Sequence, residues 1–235
     1  MIKLAVTIGI TLLLTLYELY RPAVAGKADR LLSLQTGIML TAVQIFAVPA
    51  IFQVTALSPL VDAANLPFWA GLVLFVLAMD LGEYLFHRAQ HSMPWLWKLH
   101  SLHHSDPNMT ALTANRHFWG DPILKSLTIW PLCAALVRPT PAMLAIYLWM
   151  GLWHTVVHAN VKLSFGRWSW LLNSPAYHRR HHSSDPAHFN SNYSALFPIF
   201  DVISGAYRRP DGFPPTGQDR RPGNVVEAAL WPVKV

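Results

Sequence analysis

Apolar residues run along this chain in four long stretches. Leu4 to Tyr20 is apolar except for Glu18, and Leu31 to Val61 holds no charged residue. Leu66 to Met79 is apolar and leads directly into Asp80, Glu83, His87 and His91. Between Ile123 and Val161 only Lys125 and Arg138 are charged. There, Arg138-Pro139-Thr140-Pro141 reads as a hairpin apex, because proline cannot continue a helix. A spanning helix needs about 20 mostly apolar residues. The pattern therefore predicts an all-α fold: an integral membrane helical bundle of about four or five embedded helices. The last pair is short for a full crossing.

Basic residues set the expected orientation. Arg21, Lys27 and Arg30 occupy the first loop, whereas 56–68 has no basic residue. Lys98, Arg116, Lys162, Arg167, Arg179 and Arg180 fall in the histidine-rich stretches. Positive-inside bias then makes those stretches a cytoplasmic helical cap, with the N-terminus outside. The expected setting is a bacterial inner membrane or an endoplasmic reticulum-type membrane. Met1-Ile2-Lys3, the apolar run and Ala23-Val24-Ala25 resemble a cleavable leader. Glu18 and Arg21 interrupt that stretch, and cleavage would reverse the charge bias, so an uncleaved helix is expected. Three parts follow: N-terminal membrane helices at 1–65, a histidine-bearing domain at 66–207, and a Pro-rich, irregular tail at 208–235.

Composition reinforces the membrane reading. Of 235 residues, 53% are hydrophobic and 13% charged, about half the charged share of a soluble domain. The formal charge of +6 is used by the loops, so nucleic acid is not an expected partner. One cysteine, Cys133, excludes an intrachain disulfide and a cysteine-based zinc site.

The twelve histidines all lie between His87 and His188. Ten form clusters: His87-x3-His91, His100-x2-His103-His104, His154-x3-His158 and His178-x2-His181-His182. Residues three or four apart share a helix face, so each cluster can aim its imidazoles at one point. A lone histidine is usually a hydrogen-bonded structural residue, which covers His117 or His188 but not four clusters. So many close imidazoles need a metal to hold them neutral. Imidazole suits Zn, Cu, Fe and Ni, and ten candidates exceed the four ligands of a structural zinc, which points to two ions. No HExxH or CxxC is present. Haem held by two histidines would not require the doubled HxxHH pattern. The echo of His103-His104-Ser105-Asp106-Pro107 in His181-His182-Ser183-Ser184-Asp185-Pro186 suggests two similar halves of one site.

The series, preceded by Asp80-x2-Glu83-Tyr84-x2-His87-Arg88, resembles the fatty acid hydroxylase superfamily, also called the sterol desaturase family. Asn108 to Arg116, His158-Ala159-Asn160-Val161, Pro175-x-Tyr177-His178-Arg179 and Asn190-x-Asn192-Tyr193 extend the resemblance over 70–205. Arg116-His117-Phe118-Trp119 and Ser194 depart from the usual pattern. The resemblance implies a catalytic domain at 66–207 and a membrane-bound, non-haem diiron oxygenase that hydroxylates or desaturates a lipid. It implies two iron ions as cofactor and O2 as co-substrate. The implied ligands are His87, His91, His100, His103, His104, His158, His178, His181 and His182, with His154 added by spacing.

Asp80 and Glu83 precede His87 by seven and four residues. They are expected either to accept imidazole N–H bonds, fixing ligand tautomers, or to pair with Arg88 or another cation. Asp106, Asp185 and Asn108 are weaker candidates for the first role. Trp69, Phe75, Trp149 and Trp153 line a lipid path or serve as packing and anchors. No electron-transfer domain fits, so a separate donor is expected: a ferredoxin, cytochrome b5 or reductase. Arg179, Arg180, Arg208 and Arg209 would dock it, or bind anionic lipid. The competing class is a non-oxidative metal-binding membrane protein, either a zinc-dependent lipid hydrolase or a metal transport component.

Overall fold

The computed structural model describes residues 2–54 and 57–235. Met1 of the leader-like start, Thr55 of the second apolar run and Ala56, the first residue of the 56–68 loop, lie outside the described residues. The chain is mostly helical. Helix α1 (Ile2–Tyr20) is followed by α2 (Arg30–Phe46) and α3 (Val48–Val54). The long helix α4 (Phe68–Ser92) then runs into α5 (Pro94–His100). Met93, extended and followed by Pro94, ends α4, and Pro94 opens α5 in the position where its missing N–H costs nothing.

Two helical stretches are long and apolar enough to cross a bilayer: Arg30–Ile51 and Phe68–Ser92. Leu4–Tyr20 is apolar but shorter. The stretch expected to hold the last embedded pair is cut into four pieces: α6 (Asp121–Leu127), α7 (Ile129–Leu136), α8 (Pro141–Met150) and α9 (Trp153–His158). Its turn falls at Arg138-Pro139-Thr140, where the Thr140 side chain accepts the Met143 N–H and Pro141 starts α8. Before the turn, β2 (Val137–Arg138) pairs in parallel with β1 (Val61–Asp62), and Arg138 meets Asp62 in an ion pair. The pattern of apolar residues gave no sign of this ladder.

α4 is the central post. Its Leu72, Phe75 and Val76 pack with Ala63, Val137 and Met143. Gly71 and Gly82 are its points of closest approach: a methyl on Gly82 would lie 2.3 Å from Cys133 Sγ on α7. The outer faces of α1 and α2 remain apolar, with Leu12, Leu13, Leu16, Leu31 and Ile38 exposed. Past α5 the character inverts. Loops and 3₁₀ turns at His103–Ser105 and Ala111–Asn115 lead to α10 (Pro175–His181) and α11 (Ile199–Ser204), and their buried residues are largely polar. The tail is irregular up to residue 224 but ends in α12 (Val225–Ala229) and α13 (Trp231–Lys234). Ala228 and Trp231 bury against Leu32 and Leu102, and Trp231 Nε1 donates to Ser101 Oγ at 2.8 Å.

Candidate metal centre

Nine imidazoles meet in two adjoining groups, His87, His91, His100, His104 and His181 in one, His103, His158, His178 and His182 in the other. Within each group, one ring nitrogen per residue lies within 4.8 Å of all the others. The chain brings them there by short local devices. α4 offers His87 and His91 one turn apart, and α5 ends on His100. α9 ends on His158. The Ser174 side chain caps α10 by accepting the Tyr177 N–H, with Pro175 in the first turn, which sets His178 and His181 on one short helix. Each doublet, His103-His104 and His181-His182, sends one ring to each group. That is the physical content of the sequence echo between them.

Backbone carbonyls decide which nitrogen faces inward. His87 Nδ1 lies 2.6 Å from the Tyr193 carbonyl, His158 Nδ1 2.7 Å from that of His154, and His181 Nδ1 2.9 Å from that of Ser191. A carbonyl only accepts, so each Nδ1 carries the proton and each Nε2 presents a lone pair. Those of His87 and His158 face other ring nitrogens. His100 Nε2 is 3.0 Å from His87 Nε2 and 3.1 Å from His104 Nε2. His158 Nε2 is 3.1 Å from His103 Nε2 and 2.9 Å from His178 Nε2. A ring nitrogen offers one proton or one lone pair, so each shared Nε2 serves only one of its two neighbours. The Nε2 atoms of His91, His181 and His182 are buried with no protein partner.

A cation resolves this arrangement. Two nitrogens at a metal–imidazole distance of about 2.1 Å lie roughly 3.0 Å apart when the angle between them is a right angle, and roughly 3.4 Å apart at the tetrahedral angle. The closest ring nitrogens lie 2.9 to 3.1 Å apart, near enough to share one ion, and five donors in one group exceed a closed tetrahedral site. Burial also suits neutral ligands. It pushes His100, His103, His104, His178 and His182 well below the ordinary imidazole range, with neighbouring imidazoles adding to the effect. His181 is pushed down to about 4 by burial, against the opposing bond to Ser191.

Three histidines lie outside both groups. His154, counted by spacing among the ligands, places its ring 4.4 Å from that of His158 and lends its carbonyl to it. His117 stacks on His103 at 4.1 Å, and His188 contacts the Ser183 hydroxyl at 2.9 Å.

The carboxylates do not take the imidazole-orienting role. Asp80 accepts the Leu196 and Phe197 N–H groups, both at 3.0 Å. Glu83 pairs with Lys125 at 2.8 Å and accepts from Trp130 Nε1, whereas Arg88 turns to the Tyr84 hydroxyl. The ion-pair alternative thus describes Glu83, with Lys125 as the cation. Asp106 holds the hydroxyls of Ser33 and Thr113, Asn108 faces Arg179, and Asp185 caps Ala187. A backbone acceptor leaves no trace in side-chain identity, which is why carboxylates looked like the natural partners. Arg179 is 1% exposed and therefore cannot belong to a docking patch.

Two supports were not foreseen. Asn190 and Asn192 adopt left-handed φ of 57° and 60°, a conformation asparagine tolerates better than most residues. The turn aims the Ser191 and Tyr193 carbonyls at His181 and His87. Fully buried Asp201 holds this turn by accepting from the Tyr193 and Ser194 N–H groups, the Ser194 hydroxyl and the Tyr177 hydroxyl. Ser194, the departure from the usual pattern, is thereby a working part of the turn.

The fatty acid hydroxylase family model matches residues 72–206, which span all nine grouped histidines. The chain belongs to this family. Among its curated relatives, the alkylglycerol monooxygenase of Homo sapiens is 32% identical over 151 residues, covering 61% of this chain and 32% of the relative. The ornithine lipid hydroxylase OlsE of Rhizobium tropici is 31% identical over 149 residues, 61% of this chain and 44% of the relative. A Delta(7)-sterol 5(6)-desaturase of Eremothecium gossypii is 30% identical over 142 residues, 59% of this chain and 38% of the relative. This fatty acid hydroxylase family chain spans less than half the length of those relatives. No solved structure matches it.

Proposed function

We propose that this chain is a membrane-bound, non-haem diiron oxygenase that hydroxylates or desaturates a lipid. The observation that carries the reading is the pair of adjoining imidazole groups, one of five rings and one of four. Iron fits so nitrogen-rich a set better than a closed tetrahedral zinc does. The relatives, named for monooxygenase, hydroxylase and desaturase activities on lipids, support lipid oxidation.

When bound, a pair of irons supplies the activation of O2. Hydroxylation of a C–H bond then consumes one O2, two electrons and two protons, and yields the alcohol and water. The protein's own groups do the positioning. The carbonyls of Tyr193, His154 and Ser191 hold the Nδ1 protons of His87, His158 and His181, so each Nε2 stays a donor. Seven of the nine rings are buried, which favours their neutral form. A cavity of about 760 Å³ reaches His91, His104, His181 and His182 between Trp97 and Phe189, and gives the substrate's reacting segment an approach. Lipid enters from the bilayer. Two electrons come from a separate donor (a ferredoxin, cytochrome b5 or reductase), with exposed Arg208 and Arg209 at its docking surface. The histidine face lies on the cytoplasmic side.

Anaerobic purification from iron-replete cells, with metal analysis and Mössbauer spectroscopy, tests the reading. Two irons per chain that O2 oxidises would support it, and tightly held zinc alone would overturn it. Lipid profiles of host cells with and without the gene would identify the substrate.

A further inference from the structure

Glu18 is the one charged residue in the first apolar run, and it is 1% exposed. It lies outside the region matched by the family model. A single carboxylate oxygen, Oε1, accepts two backbone N–H groups from distant parts of the chain: Ala111 and Asn160, both at 2.8 Å. Ala111 begins the 3₁₀ turn that follows the His103-His104 doublet, and Asn160 is two residues beyond His158. Glu18 therefore ties together two loops that leave the metal centre.

The link continues through Asn160. Its carbonyl accepts the Ala23 N–H at 2.9 Å, its Oδ1 the Val24 N–H at 3.0 Å, and its Nδ2 donates to the Val24 carbonyl at 2.8 Å. Arg179, between His178 and His181, donates to Asn160 Oδ1 at 3.3 Å and to Asn108 Oδ1 at 2.8 Å. Asn108 in turn donates to the carbonyls of Val24 and Gly26, at 3.3 and 3.1 Å. Three histidine-bearing segments thus converge on the end of α1 and the loop after it. Without Oε1 the buried N–H groups of Ala111 and Asn160 would lose their acceptor, which is costly, so this network fixes the relative placement of those segments.

We infer that α1 is part of the scaffold of the metal centre, and that Glu18 is a positioning residue acting through Asn160 on His158 and through Ala111 on the His103-His104 doublet. The inference rests on reading the imidazole groups as a metal centre. Partners that orient metal ligands typically contribute about 10–100-fold in metal affinity. Loss of Glu18 should fall first on the group His103, His158, His178 and His182, because Asn160 is two residues from His158 and is bonded by Arg179, the neighbour of His178.

The test is cobalt(II) binding to the full-length, metal-depleted protein in detergent, followed by chelator competition and by the ligand-field absorption of cobalt. Glu18→Ala, one step beyond the ligands' own partners, is expected to weaken the more affected cobalt by about 10-fold, the lower end of that range, and to shift its absorption bands. Glu18→Gln keeps the accepting oxygen and is expected to restore both affinity and spectrum to near the wild-type values. Should the alanine variant fail to fold, Glu18→Asp keeps the charge but withdraws the oxygen by one methylene, and the same weakening and band shift are expected. Two cobalts with wild-type affinity and spectrum in a folded Glu18→Ala or Glu18→Asp variant would overturn the inference. Absence of imidazole-bound cobalt in the wild-type protein would instead overturn the metal-centre reading.

Discussion

The apolar helices and the histidine-bearing loops are built on opposite rules. In α1, α2 and α4 the outward side chains are Leu, Ile and Trp, and the helices approach through small residues such as Gly71 and Gly82. In the loops and the short helices α10 and α11 between them, Arg116, Arg179, Asn192, Asp201 and Ser194 are buried, and hydrogen bonds rather than apolar contacts hold the backbone. One region is at risk from added volume, the other from a missing oxygen. A metal centre needs the second kind of construction, because lone pairs must be aimed, and irregular backbone aims them only when each loop is tied.

The largest break in this comparison should come from Asp201→Ala. It strips the acceptor from two backbone N–H groups and two hydroxyls at the turn that orients His87 and His181. Buried donors left unpaired cost about 1–3 kcal/mol each, so a loss of about 3–5 kcal/mol is expected after partial relaxation. Thermal melting in detergent and metal content should fall together. If metal content held while the melting temperature dropped, the turn would not be orienting the rings.

Acid should come next, acting on the metal-free chain. His181 is held near 4 by burial, whereas an unfolded histidine titrates near 6.5. Between those values the unfolded chain binds more protons, so stability rises with pH. This contribution is complete above about pH 6.5 and is lost as pH falls toward 4, up to about 3 kcal/mol for this ring. Denaturant melts of the apo protein across that window check it. A flat profile would mean that His181 is not buried neutral.

In the helical region the sensitive change is an addition. A methyl on Gly82 would meet Cys133 Sγ at 2.3 Å, so Gly82→Ala should cost about 1–3 kcal/mol through overpacking of α4 on α7. Gly82→Ala with Cys133→Ala should recover most of it, read by the same melts. The smallest effect belongs to the outer face. Exposed Leu13→Ala should change stability by less than about 0.5 kcal/mol and leave metal content unaltered.

The same contrast explains how much was legible in the sequence. Long apolar runs and uncapped helices are periodic signals, so α1, α2 and α4 appear where hydropathy predicts them. The histidine spacing also carried, because His87-x3-His91 and the two HxxHH clusters deliver rings on helix faces or short turns. The rest depends on backbone atoms and on long-range partners. Nothing in the residue type of Ser191 or Tyr193 announces that its carbonyl orients an imidazole. Asp80 and Glu83 look like imidazole partners in the linear chain, yet their partners, Leu196, Phe197, Lys125 and Trp130, come from segments far along it. His154 has ligand spacing, but its carbonyl rather than its ring enters the network.

The central claim is that two imidazole groups hold two irons. Mössbauer spectra of iron-57-loaded wild type should be compared with those of His103→Ala and His181→Ala, one ring removed from each group. The account predicts two irons in the wild type, and in each variant the loss or marked perturbation of the signal belonging to its own group. Unchanged iron content and spectra in either variant would contradict it.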